Sequence, residues 1–128
     1  MAMSRDEIYS KVREVLIDAL GVDEEEVKPR ATLRGDLGAE SIDFLDMLFR
    51  LEKAFTIKIP RGEMFPEDLF SNVQYVQNGR ITPEGMVEFK KRMPHLDFTE
   101  LEKDPDISKM QFTVDTVVNY IDSKVNGG

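Results

Sequence analysis

The sequence predicts a single all-α domain, and three observations carry that expectation. Three segments repeat apolar residues at helical spacing, and each opens on a residue suited to the start of a helix. The 128 residues fall in the range of one domain, which runs roughly 100–150 residues. At 41% hydrophobic and 33% charged, the composition is that of a folded chain rather than a disordered one.

The first helix is marked at both ends. Ser4 and Glu7 form a capping box, in which each side chain satisfies a backbone donor that the helix leaves orphaned. Ile8, Val12, Val15, Leu16, Ala19 and Leu20 then share one face, and Gly21 sits where a left-handed terminator belongs. The helix is expected over 5–20. Residues 22–40 read as a long loop with a solvated acidic run, Asp23 to Glu26, and with Pro29, Gly35 and Gly38 breaking any period. Val22, Val27, Leu33 and Leu37 are the residues expected to pin that loop to a core.

The second helix is expected from Ser41 to Phe55, with Phe44, Leu48, Leu51 and Phe55 on its buried stripe and Ile42, Leu45 and Phe49 widening it. Glu40 before it and Asp43 in its first turn both suit the positive end of a helix dipole. Thr56 to Pro60 reads as a short extended exit. In the stretch 61–112, Pro66 suits a first helical position, and Leu69, Phe70, Val73 and Val76 recur at helical spacing before Asn78-Gly79. That period favours a helix. Asn-Gly is also the preferred two-residue hairpin turn, so a hairpin over Val73 to Thr82 stands as the rival. Thr82-Pro83 starts a firmer helix carrying Met86, Phe89 and Met93 and ended by Pro94, and Asp97 to Glu100 caps a short turn before Pro105. Thr113 caps the last helix, whose stripe is Val114, Val117, Val118 and Ile121, and Asn126 to Gly128 read as a frayed end.

Composition excludes several kinds of chemistry. With no cysteine, the chain encodes no disulfide, thiolate metal site or thiol nucleophile. A lone histidine, His95, removes multi-histidine metal sites, and its loop position reads as surface. Asp104, Asp106, Ser108 and Asp115 lack the glycine and final glutamate of a calcium loop, so no metal is expected. A net charge of −8 argues against nucleic acid and suits basic protein partners. No apolar run nears the roughly 18 residues of a membrane span, and acids at Asp6 and Glu7 spoil a leader, so a cytoplasmic protein without stable membrane insertion is expected.

One string carries chemistry: Asp36-Leu37-Gly38-Ala39-Glu40-Ser41-Ile42. With the second helix after it, the Ile57-Lys58-Ile59-Pro60 exit and the final helix from Thr113, it resembles the acyl carrier protein (ACP) family. The resemblance covers about 1–65 and 111–125. It implies a four-helix bundle with a mainly helical insertion, 66–110, between the second and last helices, and removing those 45 residues from 128 leaves 83.

The resemblance also implies a role for Ser41: covalent attachment of 4′-phosphopantetheine taken from coenzyme A, with Asp36, Leu37, Gly38, Glu40 and Ile42 as the supporting motif. The arm's thiol would hold an acyl group as a thioester, and the protein itself would catalyse nothing. Implied partners are a phosphopantetheinyl transferase and an acyl-ACP synthetase, ketosynthase or acyltransferase, met by a monomer through Asp43 and Asp46. Glu40 and Ile42 replace the family's usual Asp and Leu, keeping charge and apolar volume respectively.

By the same resemblance, the insertion implies a specialised family member in lipid metabolism, with lipopolysaccharide as a candidate client. An aminoacyl, peptidyl or polyketide cargo, or an unmodified helical interaction module, are the alternatives. The plainer readings are that Ser41 merely caps a helix, that Asp43 and Asp46 are solvated surface, and that Lys90-Lys91-Arg92 is a solvated face. Phe70, Met86, Phe89, Met93, Phe98 and Met110 read as core of the insertion rather than a pocket lining.

Overall fold

Caps and apolar stripes form the helices opening at Arg5, Ser41, Pro83 and Val114 where the sequence puts them, in a computed structural model that describes residues 3–60, 62–64, 67–110 and 112–127, without the side chains of Ser41, Glu67 and Ser108. Pro66, expected at a helix start, Gly128 and the hydroxyl of Ser41 therefore lie outside the described residues. Among the described residues the fold is all-α apart from one two-stranded hairpin and two isolated bridges. Two compact units divide the chain: Met1–Ile59 with Phe112–Gly128, and Pro60–Gln111.

In the first unit, α1 runs Arg5–Leu20. Ser4 Oγ accepts the Glu7 N–H at 3.2 Å, and Gly21, left-handed with φ 67°, returns its N–H to the Ile17 carbonyl at 2.9 Å. Helix α2 spans Ser41–Phe55, and α6 spans Val114–Asn126 (α3 to α5 belong to the second unit). α1 packs against both and contributes the buried Ile8, Val12, Val15 and Leu16. Thr113 Oγ1 accepts the Thr116 N–H at 3.2 Å, a cap of the kind worth about 1 kcal/mol. The end of α6 is tied rather than frayed, because the Asn126 amide holds both the N–H and the carbonyl of Met3, at 2.9 and 2.8 Å.

Helix α2 departs from the expected stripe. Met47, Leu51 and Phe55 form its buried line, Phe44 and Leu48 are half-buried, and Ile42, Leu45 and Phe49 are 76%, 57% and 57% exposed. A helix packed on one face buries one arc, and residues 42, 45 and 49 lie around the axis from the 47–51–55 line. They do not widen the stripe; they stand outside it.

The long loop is ordered by the last helix's approach. Leu33 donates to the Phe112 carbonyl at 2.8 Å, Val114 to Ala31 at 3.0 Å, and Thr32 bridges Thr113. Val27, Leu33 and Leu37 are buried as expected, Val22 is half-buried, and the acidic run forms a 3₁₀ turn, Glu24–Glu26.

The second unit holds α3 (Glu67–Phe70), β1 (Val76–Gln77), β2 (Arg80–Ile81), α4 (Pro83–Arg92), α5 (Thr99–Lys103) and a 3₁₀ turn, Ile107–Lys109. Here the rival reading prevails: the helix is one turn long, and Val76 pairs with Ile81 across a hairpin. Asn78 and Gly79 both take positive φ, 53° and 76°, the condition of a two-residue type I′ turn. The hairpin also explains Gly85, since a Cβ there would fall 2.2 Å from the Tyr75 carbonyl oxygen.

Leu69, Ile81, Phe89, Met93 and Leu101 are buried, and Phe70 meets Phe89 edge-on at 5.1 Å. Met86, Phe98 and Met110 are half-buried, in keeping with the core reading. Each residue of the basic run has a carboxylate partner: Lys90 with Glu102, Lys91 with Glu88 and Arg92 with Asp68. His95, expected at the surface, is instead buried with Met93 and Leu96, while Pro94 between them is exposed. Its Nε2 lies 3.2 Å from the Met64 carbonyl oxygen. Burial lowers its pKa from 6.5, partly opposed by that carbonyl and by the Glu63 carboxylate.

Candidate functional site

The Asp36–Ile42 string is built as a hydrogen-bonded turn feeding a helix. Asp36 Oδ2 accepts the Thr32 N–H at 2.9 Å while Thr32 Oγ1 accepts the Asp36 N–H at 3.0 Å. The Leu37 N–H reaches the Thr32 carbonyl at 3.0 Å, Gly38 that of Arg34 at 3.1 Å, and Ala39 that of Leu33 at 2.8 Å. Asp36 thus acts on the loop's own backbone. Leu37 and Ala39 are buried and anchor the turn between them and the core.

Gly38 supplies the reversal. Its φ of 71° is a left-handed conformation that costs a side-chain-bearing residue roughly 1 kcal/mol or more. No atom lies within 4 Å of where its Cβ would be, so the turn is open on that side.

Glu40, extended at φ −105° and ψ 170°, is the residue before α2, and Ser41 is the first helical one. The cap position therefore belongs to Glu40, which answers the plainer reading of Ser41 as an N-cap serine. The Glu40 N–H donates to Asp43 Oδ2 at 2.8 Å, and the Asp43 N–H donates to the Glu40 carbonyl at 2.9 Å. Asp43 spends its carboxylate on the helix start. Asp46 Oδ2 pairs with Arg50 Nε at 2.9 Å one turn on. The first N–H groups of a helix have no partner within it, so the backbone that carries Ser41 favours a negative group.

Asp36, Leu37, Gly38, Glu40, Ser41 and Ile42 lie along one loop-to-helix junction, in the order the sequence motif gives them. Sequence reasoning missed three contributors. Thr32 is the reciprocal partner of Asp36, and the T-x-x-x-D spacing was its only signal. Arg34 and Phe44 meet across the junction, with the guanidinium carbon 5.2 Å from the ring centroid, and no local pattern announces that pairing.

Comparison with known proteins bears on this junction. A family model described as a phosphopantetheine attachment site matches residues 10–70. Over 61 residues the chain is 48% identical to an acyl carrier protein of Rubrobacter xylanophilus, an overlap of 48% of this chain and 75% of that relative. The chain belongs to the acyl carrier protein family. ACPs are carriers rather than enzymes, and their cofactor is a covalently attached 4′-phosphopantetheine. A phosphopantetheinyl transferase and acyl-handling enzymes are accordingly the general partners of this ACP. Among the described residues, no group of three or more histidines or acids is placed to hold a metal ion, and no helix is long and apolar enough to cross a membrane.

The junction fits the ACP cofactor on its own chemistry. A phosphodiester is an anion, and the first turn of α2 presents backbone N–H groups to it beside an open glycine turn.

Proposed function

We propose that Ser41 carries the phosphopantetheine arm of this ACP and that the acyl groups it holds serve a specialised lipid pathway. The observation that carries the site is the position of Ser41 as first residue of α2, directly after the Asp36–Glu40 turn. A serine there rides on a rigid helix while the loop before it is locked by Leu37 and Ala39. In loading, the Ser41 hydroxyl attacks the phosphorus next to pantetheine in coenzyme A. Its proton passes to the transferase, and adenosine 3′,5′-bisphosphate leaves. The arm supplies the thiol that this cysteine-free chain lacks.

Residues 66–110 are the insertion that specialises the carrier, and Asp43 and Asp46 are the acids through which basic partners dock, in the cytoplasm. A long-chain acyl group bound for lipopolysaccharide is the cargo we favour, by analogy with specialised members of the family.

Intact-mass measurement after incubation with coenzyme A and a phosphopantetheinyl transferase tests the site. One phosphopantetheine increment is expected, absent in Ser41→Ala. No increment with several active transferases would make the chain an unmodified helical module. The mass of the protein isolated from its host then reads the cargo, and an aminoacyl or polyketide mass would overturn the lipid assignment.

A further inference from the structure

We infer that Arg34 is the positioning residue for the phosphodiester of the arm, an inference that rests on Ser41 as the attachment point. Three observations on Arg34 itself carry it. First, its guanidinium carbon lies over the Phe44 ring, 5.2 Å from the centroid, within cation–π range. The backbone behind it is held, since the Arg34 carbonyl accepts the Gly38 N–H at 3.1 Å.

Second, Phe44 lies three residues after Ser41, so both positions share one face of α2. Helical side chains lean toward the N-terminus and cover the turn before their own Cα. The Phe44 ring therefore leans toward the turn that begins at Ser41, and the guanidinium over it lies on that side of the helix.

Third, Arg34 is exposed and has no carboxylate partner among the described residues, although Asp36, Glu40 and Asp43 stand within nine positions of it. Arg5, Arg13, Arg50, Arg80 and Arg92 are ion-paired, whereas Arg30, also exposed, is like Arg34 in no ion pair among the described residues but lies outside the junction. One carboxylate oxygen of Asp36 and one of Asp43 accept the Thr32 and Glu40 N–H groups. The planar fork of a guanidinium matches phosphate oxygens as it matches a carboxylate. A phosphate added among three acids would be repelled by them, and Arg34 supplies the opposing charge.

The test uses the full chain loaded by a phosphopantetheinyl transferase, as wild type, Arg34→Gln and Arg34→Lys. Intact mass first establishes loading at Ser41, with Ser41→Ala as the blank. If Ser41 is not loaded, this inference falls together with the attachment site. With Ser41 loaded, the ³¹P resonance of the phosphodiester and the Arg34 Nε–Hε resonance are followed. The expected result is a shift of the Nε–Hε signal between unloaded and loaded wild type. In Arg34→Gln the ³¹P signal shifts and its transverse relaxation slows toward that of a freely moving phosphodiester, with Arg34→Lys between the two. Added salt should bring wild type toward the Gln variant, because an exposed pair is screened. Identical ³¹P shift and relaxation in wild type and Arg34→Gln would overturn the inference while leaving Ser41 in place. Slower loading of the variant with an unchanged ³¹P signal would also overturn it, assigning Arg34 to a contact with the transferase.

Discussion

His95 sits in the second unit with its Nε2 3.2 Å from the Met64 carbonyl, and burial holds its pKa below the ordinary 6.5. The folded protein therefore keeps the imidazole neutral at pH values where the unfolded chain already binds a proton. Stability from this site is complete above the unfolded value of 6.5 and is lost as pH falls toward the lower folded value. Glu63 is the charged neighbour that limits the shift. Thermal melts across that range should show wild type losing stability on acidification, with a shallower loss in His95→Gln, whose amide keeps a donor for Met64. Equal acid slopes in both proteins would refute this. The sequence around Met93-Pro94-His95-Leu96 gave no warning of burial, because a proline-marked loop is ordinarily exposed and burial is decided by distant neighbours.

Among the elements, α2 combines two surfaces that share one apolar composition. Its 3.6-residue period was plain in the sequence, and both ends fall where capping and spacing put them. Which arc is covered was not plain. Seven or more apolar residues spread around the axis, and only packing against α1 selects the Met47, Leu51 and Phe55 line. Met47→Ala should cost about 2–5 kcal/mol in denaturant unfolding, as for other buried methionines. Leu45→Ser with Phe49→Ser should change stability by no more than about 0.5 kcal/mol per site. A large loss from the double variant would mean that the exposed arc is structural. The hairpin of the second unit teaches the same lesson in reverse. Asn78-Gly79 held the stronger local information, because the backbone demands positive φ there, and it outweighed the helical spacing of Leu69, Phe70, Val73 and Val76.

Across the molecule, the charge of −8 is spread over both units rather than gathered on α2, where Asp46 is already paired with Arg50. Docking through α2 is thus expected to combine modest electrostatic steering with contact to the exposed Ile42, Leu45 and Phe49. Transferase loading kinetics examine the division of labour in one assay. A chain lacking 66–110 should still be loaded on Ser41, whereas Asp43→Lys with Asp46→Lys should load more slowly and with a flatter salt dependence. Loss of loading in the deletion, in a protein that remains helical, would place that segment within the carrier itself. Unchanged rates in the charge reversal would move docking off these two acids.

Local order along the chain was enough to specify α1, α2, α4 and α6, the caps at Ser4 and Thr113, and the string that delivers Ser41 to the start of α2. Those features depend on residues within a few positions of each other, where backbone hydrogen bonding and side-chain periodicity act directly. The lone histidine's burial, the exposed arc of α2 and the placing of Arg34 on Phe44 depend on groups that meet only through packing. Nothing in their spacing encodes that contact, so only the folded chain determines it.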